Sequence, residues 1–156
     1  MSLSPDIFLA AQDLVLRFWA AVDEVEDTPG AALFTPEGAL VIESFRADGT
    51  EELSRYFAAR RKLSAERQRA TRHLCTNLRA LPGQGTRLAA TMTVFSGMGA
   101  RPLPLEAPSS LADFTFDCVE TPEGWRFREV RGALVFAGAD TPDLTKAAQA
   151  AKGASA

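Results

Sequence analysis

From about residue 70 onward the apolar residues of this chain stop recurring every third or fourth position and begin to alternate. A chain that repeats first with the helical period and then with the strand period must stack helices on a sheet. Four alternating stretches occupy residues 70–81, 86–96, 111–120 and 125–137. PGQG at 82–85 and TPEG at 121–124 predict two hairpin turns, and the Pro/Gly-rich GMGARPLPLEAPS forms a longer connection suited to the rim of a cavity.

The helical part opens at Ser4-Pro5, a capping residue followed by a proline suited to the first turn. Ile7, Ala11, Leu14, Val15, Phe18 and Val22 make one stripe that ends near Asp23. Thr28-Pro29-Gly30 predicts a short second helix to Phe34, and an earlier TPEG at 35–38 predicts a turn into the strand ALVIESF. Asp48-Gly49-Thr50-Glu51 has the capping-box pattern of a third helix running to about Leu63. The expected fold is α+β: three N-terminal helices on one face of a curved antiparallel sheet, a cone enclosing a cavity, over residues 1–138. Residues 139–156 are Ala-rich and low in complexity, a tail or a marginal helix.

The charge balance, 17 basic against 20 acidic residues, argues against a nucleic-acid binder, which needs a basic excess. No apolar run reaches the ~18 residues of a membrane span. Cys75 and Cys118 are too few for a disulfide framework and suit a reduced, cytoplasmic setting. MSLSPDIFLAAQD has neither the basic leader nor the apolar run of a signal peptide. Without metal-ligand spacing, a Gly-rich phosphate loop or a nucleophile elbow, no metal or cofactor is expected.

The hairpins assign faces. If Leu81 pairs with Thr86, His73 opposes Val94, Cys75 opposes Met92 and Asn77 opposes Ala90, which turns His73, Cys75 and Asn77 inward. The outer face then gathers Leu74, Thr76, Leu78, Thr91 and Thr93. If Glu120 pairs with Trp125, Asp117 opposes Arg128 on the outer face with Asp113, while Glu129 and Arg131 share the inner face. Alternation leaves open which face of strand 39–45 carries Glu43.

With these elements in place, the chain resembles the SnoaL-like branch of the nuclear transport factor 2-like superfamily. RFWAAVDEVEDTPGAALFTPEGAL looks like the family's first helices and entry to strand one, FRADGTEELSRYFAARR like its third helix, and TRHLCTNLRALPGQGTRLAATMTVF like its strand pair. In dehydratase members, an acid late in helix one pairs with a histidine after helix three, and Asp23 and His73 occupy those places. Their pocket tyrosine matches Phe18 here, and the chain's single tyrosine, Tyr56, falls in helix three. Ketosteroid isomerase-like members carry a base on strand one, near Glu43. Ring-hydroxylating dioxygenase small subunits carry a phrase like TRHLCTN without doing chemistry.

A histidine oriented by a carboxylate is a natural proton carrier near neutrality. Two readings follow. One is a cofactor-independent isomerase, dehydratase or cyclase acting on a small, largely apolar molecule. His73 would be its base or acid, Asp23 its orienter and Glu43 a second carboxylate. Phe18, Trp19, Phe57, Asn77, Met92, Phe114 and Phe116 would line its pocket, in an interior that also draws on Phe95. The other reading is a non-catalytic binding or assembly domain in which the His–Asp pair is structural. A homodimer through the outer sheet face is expected in either case.

Overall fold

A computed structural model describes residues 3–138, so the expected tail lies outside the described residues. These residues form helix α1 (Pro5–Val22), a 3₁₀ turn (Gly30–Leu33) and strands β1 (Phe34–Ile42) and β2 (Phe45–Asp48). Helix α2 (Gly49–Arg67) follows, then β3 (Arg69–Ala80), β4 (Thr86–Met98), β5 (Ser110–Thr121) and β6 (Gly124–Ala137). Two α-helices therefore stand where three were expected, because Gly30–Leu33 closes only a 3₁₀ turn before the backbone extends. Ser4 caps α1 by accepting the Ile7 N–H at 3.4 Å, as its sequence predicts.

Helix α2 starts where expected but runs one turn beyond Leu63, to a left-handed cap at Gln68. Its start uses different atoms from the predicted box. The Asp48 carboxylate is taken by Arg46 at 2.7–2.9 Å, and the Asp48 N–H donates to Glu52 rather than Glu51, at 2.8 Å.

The six strands form one sheet in the order β2-β1-β6-β5-β4-β3. Every pairing is antiparallel except β1 with β6, which run parallel, so the sheet is mixed rather than wholly antiparallel. The first TPEG is no turn: Thr35 to Gly38 lie inside β1, where the register slips between Phe34 and Ala39. The second is the predicted hairpin, with Thr121 opposite Gly124 and the Thr121 hydroxyl donating to the Gly124 carbonyl at 2.7 Å.

Both helices cover one face of the sheet, where Leu88, Ala90 and Met92 of β4, Phe114, Phe116 and Cys118 of β5, and Phe127 and Val130 of β6 are buried. Two bulges change which residues join them. On β6 the register slips between Cys118 and Asp117, so Asp117 faces Glu129 instead of Arg128. The slip sends Glu129 and Arg131 to the outer face, where they pair at 2.9 Å, and turns Val130 inward. Asp113 is an outer-face residue as expected and accepts a hydrogen bond from Thr91 at 3.1 Å. Phe95 shares the outer side with Thr93, opposite Arg72, and stays outside the core.

Gly132 lies directly beneath the Phe114 ring, and a Cβ there would meet the ring at 2.5 Å. Because the interior is close-packed, Gly132→Ala should destabilise the fold by about 1–3 kcal/mol. Urea unfolding measures it, and an unchanged midpoint would contradict this packing.

Candidate functional site

Helix α1 ends on its Asp23 cap, whose N–H still bonds the Trp19 carbonyl at 2.9 Å, so the helix itself fixes this carboxylate. Asp23 is 8% exposed and points at β3. Its Oδ2 accepts the His73 backbone N–H at 2.7 Å. Its Oδ1 meets His73 Nδ1 at 2.6 Å and accepts the Thr71 hydroxyl at 2.7 Å. From α2, Arg60 braces the same junction, its Nε donating to the Val22 carbonyl at 3.2 Å and its Nη2 to the Thr71 hydroxyl at 3.3 Å. The predicted Asp23–His73 pair therefore exists, tied in place by Thr71 and Arg60.

Burial raises the Asp23 carboxyl, but the His73 ring bond and charge, the His73 N–H and the Thr71 hydroxyl outweigh it and hold the group below its ordinary 3.8. Burial pushes His73 below its ordinary 6.5 against the pull of Asp23, and the Arg60 and Arg69 cations push the same way. At neutral pH the pair is accordingly a carboxylate and a neutral imidazole. Nδ1 carries the proton shared with Asp23, leaving a lone pair on Nε2. Nε2 has no hydrogen-bond partner among the described residues.

His73 stacks on Trp19, with centroids 4.7 Å apart and planes 17° apart. The Trp19 Nε1 proton is buried and unpartnered. Trp19 in turn meets Phe18 at 4.8 Å, Phe114 at 5.0 Å and Phe116 at 6.4 Å, all edge-on. Phe57 joins through Phe18 at 6.3 Å, and Met92 is fully buried in the same cluster. Six of the seven residues predicted to line a pocket thus form one packed cluster, which meets the dyad through Trp19.

Asn77 does not join them. It is the bulged residue of β3, with φ 54°, and the register moves from Thr76–Thr91 to Arg79–Ala89 around it. Asn77 is left exposed and Leu78 turns onto the core, reversing the predicted faces of both. Glu43 belongs to neither strand face. It occupies the β1–β2 turn at φ 53°, donates its N–H to the Gly132 carbonyl at 3.2 Å and accepts the Leu134 N–H through its carboxylate. It fastens the end of β6, and its carboxylate makes no bond to His73 or Asp23.

Burial raises the thiol of Cys75 and, with the Asp117 charge adding to it, takes that of Cys118 up to about 12, so neither is primed as a nucleophile. A cavity of about 190 Å³ opens elsewhere, between the end of α1 and α2, bordered by Val22, Glu24, Pro29, Phe57, Arg60 and Arg61. Among the described residues no three His, Cys, Asp or Glu side chains converge to hold a metal ion, and no helix is long and apolar enough to cross a membrane.

Two helices on one face of a six-stranded sheet, with a histidine on the strand that follows α2, define an α+β fold. The chain belongs to the SnoaL-like domain family, which it matches over residues 8–131. Among solved structures it is similar to ActVI-ORFA from Streptomyces coelicolor, at 14% identity over 86% of this chain and 100% of that one, with a TM-score of 0.70. It is similar also to a Nostoc punctiforme protein of unknown function with a cystatin-like fold, at 20% identity over 86% and 95% of the two chains and a TM-score of 0.67. A third is an NTF2-like protein from Streptomyces avermitilis, provisionally termed a dehydratase, at 20% identity over 86% and 100% and a TM-score of 0.66. At these identities the likeness is one of fold. No curated protein matches the chain in sequence.

Thr71, Arg60 and Arg69 were missed as site residues. Two cues pointed to them: Arg69, Thr71 and His73 alternate onto one strand face, and Arg60 follows Tyr56 by one helical turn.

The dyad also sets a pH dependence. Both groups titrate lower in the folded chain than unfolded, so the unfolded chain takes up protons first on acidification. The stabilisation is complete above 6.5 and falls as pH drops through 6.5 toward the folded value of His73. It falls again below 3.8 as Asp23 nears protonation. Urea unfolding from neutral to acid pH should show the first decline in the wild type, and His73→Asn should remove that slope whatever its effect on absolute stability.

Proposed function

We propose that this protein is a cofactor-independent proton-transfer enzyme acting on a small, largely apolar molecule, with His73 as base and Asp23 as its orienter. The observation that carries this is the stacked Trp19–His73 pair, which holds a buried N–H without an acceptor and an imidazole Nε2 without a donor. A buried polar atom without a partner is rare, and the Trp19 N–H beside a free imidazole lone pair fits a polar group of a bound molecule. A substrate carbonyl could accept from Trp19 Nε1 while Nε2 takes a proton from the neighbouring carbon, leaving the electron pair as an enolate. Asp23 then stabilises the imidazolium, which returns its proton to another carbon in isomerisation, or to a hydroxyl that departs as water in dehydration. The SnoaL-like family and the neighbour termed a dehydratase agree with this chemistry.

A second reading has its own support. The rings around His73 pack edge to face, and both oxygens of Asp23 are bonded. On that reading the pair pins α1 to β3 in a non-catalytic binding or assembly domain. The outer face with Leu74, Thr76, Thr91 and Thr93 then serves as a homodimer interface.

A ligand screen on wild type and His73→Ala separates the two. The catalytic reading expects unchanged ligand affinity with turnover reduced about a hundredfold or more, the usual worth of a positioned base. It also expects turnover that rises with pH through a value below 6.5. Loss of folding with no turnover to lose would establish the structural reading instead.

A further inference from the structure

Residues two apart on a strand share a face, so β3 presents Arg69, Thr71 and His73 together toward the helices. Thr71 is buried and Arg69 is half-buried at the start of the strand. Arg60 of α2 spends two donors on the Thr71 hydroxyl and the Val22 carbonyl. The Arg69 side chain has no such outlet: among the described residues it makes no hydrogen bond or ion pair. Its burial disfavours the charged form, and Arg60 and Arg67 add like charge, with the Asp23 carboxylate as partial relief. A half-buried guanidinium with five donors, no protein acceptor and a second guanidinium nearby favours an anion.

The charges also indicate which anion. Arg60 and Arg69 are positive with Arg67 adding to them, whereas Asp23 is negative and His73 neutral, so positive charge is left uncompensated. A carboxylate matches the planar fork of a guanidinium and sets less negative charge beside Asp23 than a phosphate dianion would.

We propose that Arg60 and Arg69 form a carboxylate subsite beside His73, and that the molecule this site takes is a small organic acid held by its carboxylate. The substrate's fate rests on the proton-transfer reading above, while the subsite is a matter of binding. The carboxylate also offsets the two cations that disfavour imidazolium, so a bound acid makes His73 a stronger base.

The chain has a single histidine, so its ring resonances report without ambiguity. Acetate, benzoate and the neutral isostere benzamide are titrated at low salt into wild type and Arg69→Gln, following the His73 ring by NMR across pH. Arg60 is left in place because it also ties α1 to β3. Both acids should shift the ring and raise the pH at which it titrates, with benzamide doing neither. Arg69→Gln should weaken benzoate about tenfold, the worth of a charge-assisted bond, and Arg69→Lys should restore part of the loss. Equal binding of benzamide and benzoate, unchanged benzoate affinity in Arg69→Gln, or failure of both acids to shift His73 would each overturn the subsite. Arg69-dependent benzoate binding supports it even where no acid is turned over, the result that would sink the catalytic reading.

Discussion

One carboxylate holds the first helix to the sheet. Asp23 takes a strand N–H, an imidazole N–H and a threonine hydroxyl, and each of these would otherwise be a buried donor without an acceptor. Such donors cost about 1–3 kcal/mol apiece when orphaned, so the helix end, the strand and the histidine rotamer are set by a common requirement. The position of Trp19 follows, because one helical turn back from Asp23 its ring meets the imidazole that Asp23 has oriented. The aromatic cluster then builds outward from Trp19 through Phe18, Phe114 and Phe116.

The large features were legible because they rest on period and on short-range turn chemistry. The change of period near residue 70 announced helices on a sheet, and His73 lies opposite Val94 and Cys75 opposite Met92 as expected. Leu81 bonds Arg87 rather than pairing with Thr86, and the Asn77 bulge makes up the difference. What alternation cannot register is an extra residue. Asn77 in β3 and Arg128 in β6 are each one residue too many for their partner strands, and beyond each bulge the faces invert. That is why Asn77 and Leu78 exchanged sides and why Glu129 and Arg131 left the interior. The pairing of Asp23 with His73 came from family likeness, whereas the Thr71 and Arg60 contacts depend on three-dimensional approach.

The repeated tetrapeptide makes the same point at the smallest scale. Thr-Pro-Glu-Gly at 121–124 turns a hairpin, with its glycine at φ 104°. The identical residues at 35–38 lie inside a strand, where a Cβ on Gly38 would come within 2.8 Å of Phe34 and 3.0 Å of the Phe127 carbonyl. Gly124 is needed for its backbone angle and Gly38 for its lack of volume. Local composition is the same, and the neighbouring strands decide.

The position of β3 in the sheet gives the Asp23 carboxylate a further part. β3 is an outermost strand, paired with β4 on one side. The His73 N–H points the other way, at the free edge, and Asp23 occupies it. A side chain thereby stands in for the missing next strand, at the residue where an incoming chain would otherwise find a donor. Edge strands left open recruit foreign strands, and a buried negative charge is a poor template for one. The group that orients the imidazole also guards the sheet against growing.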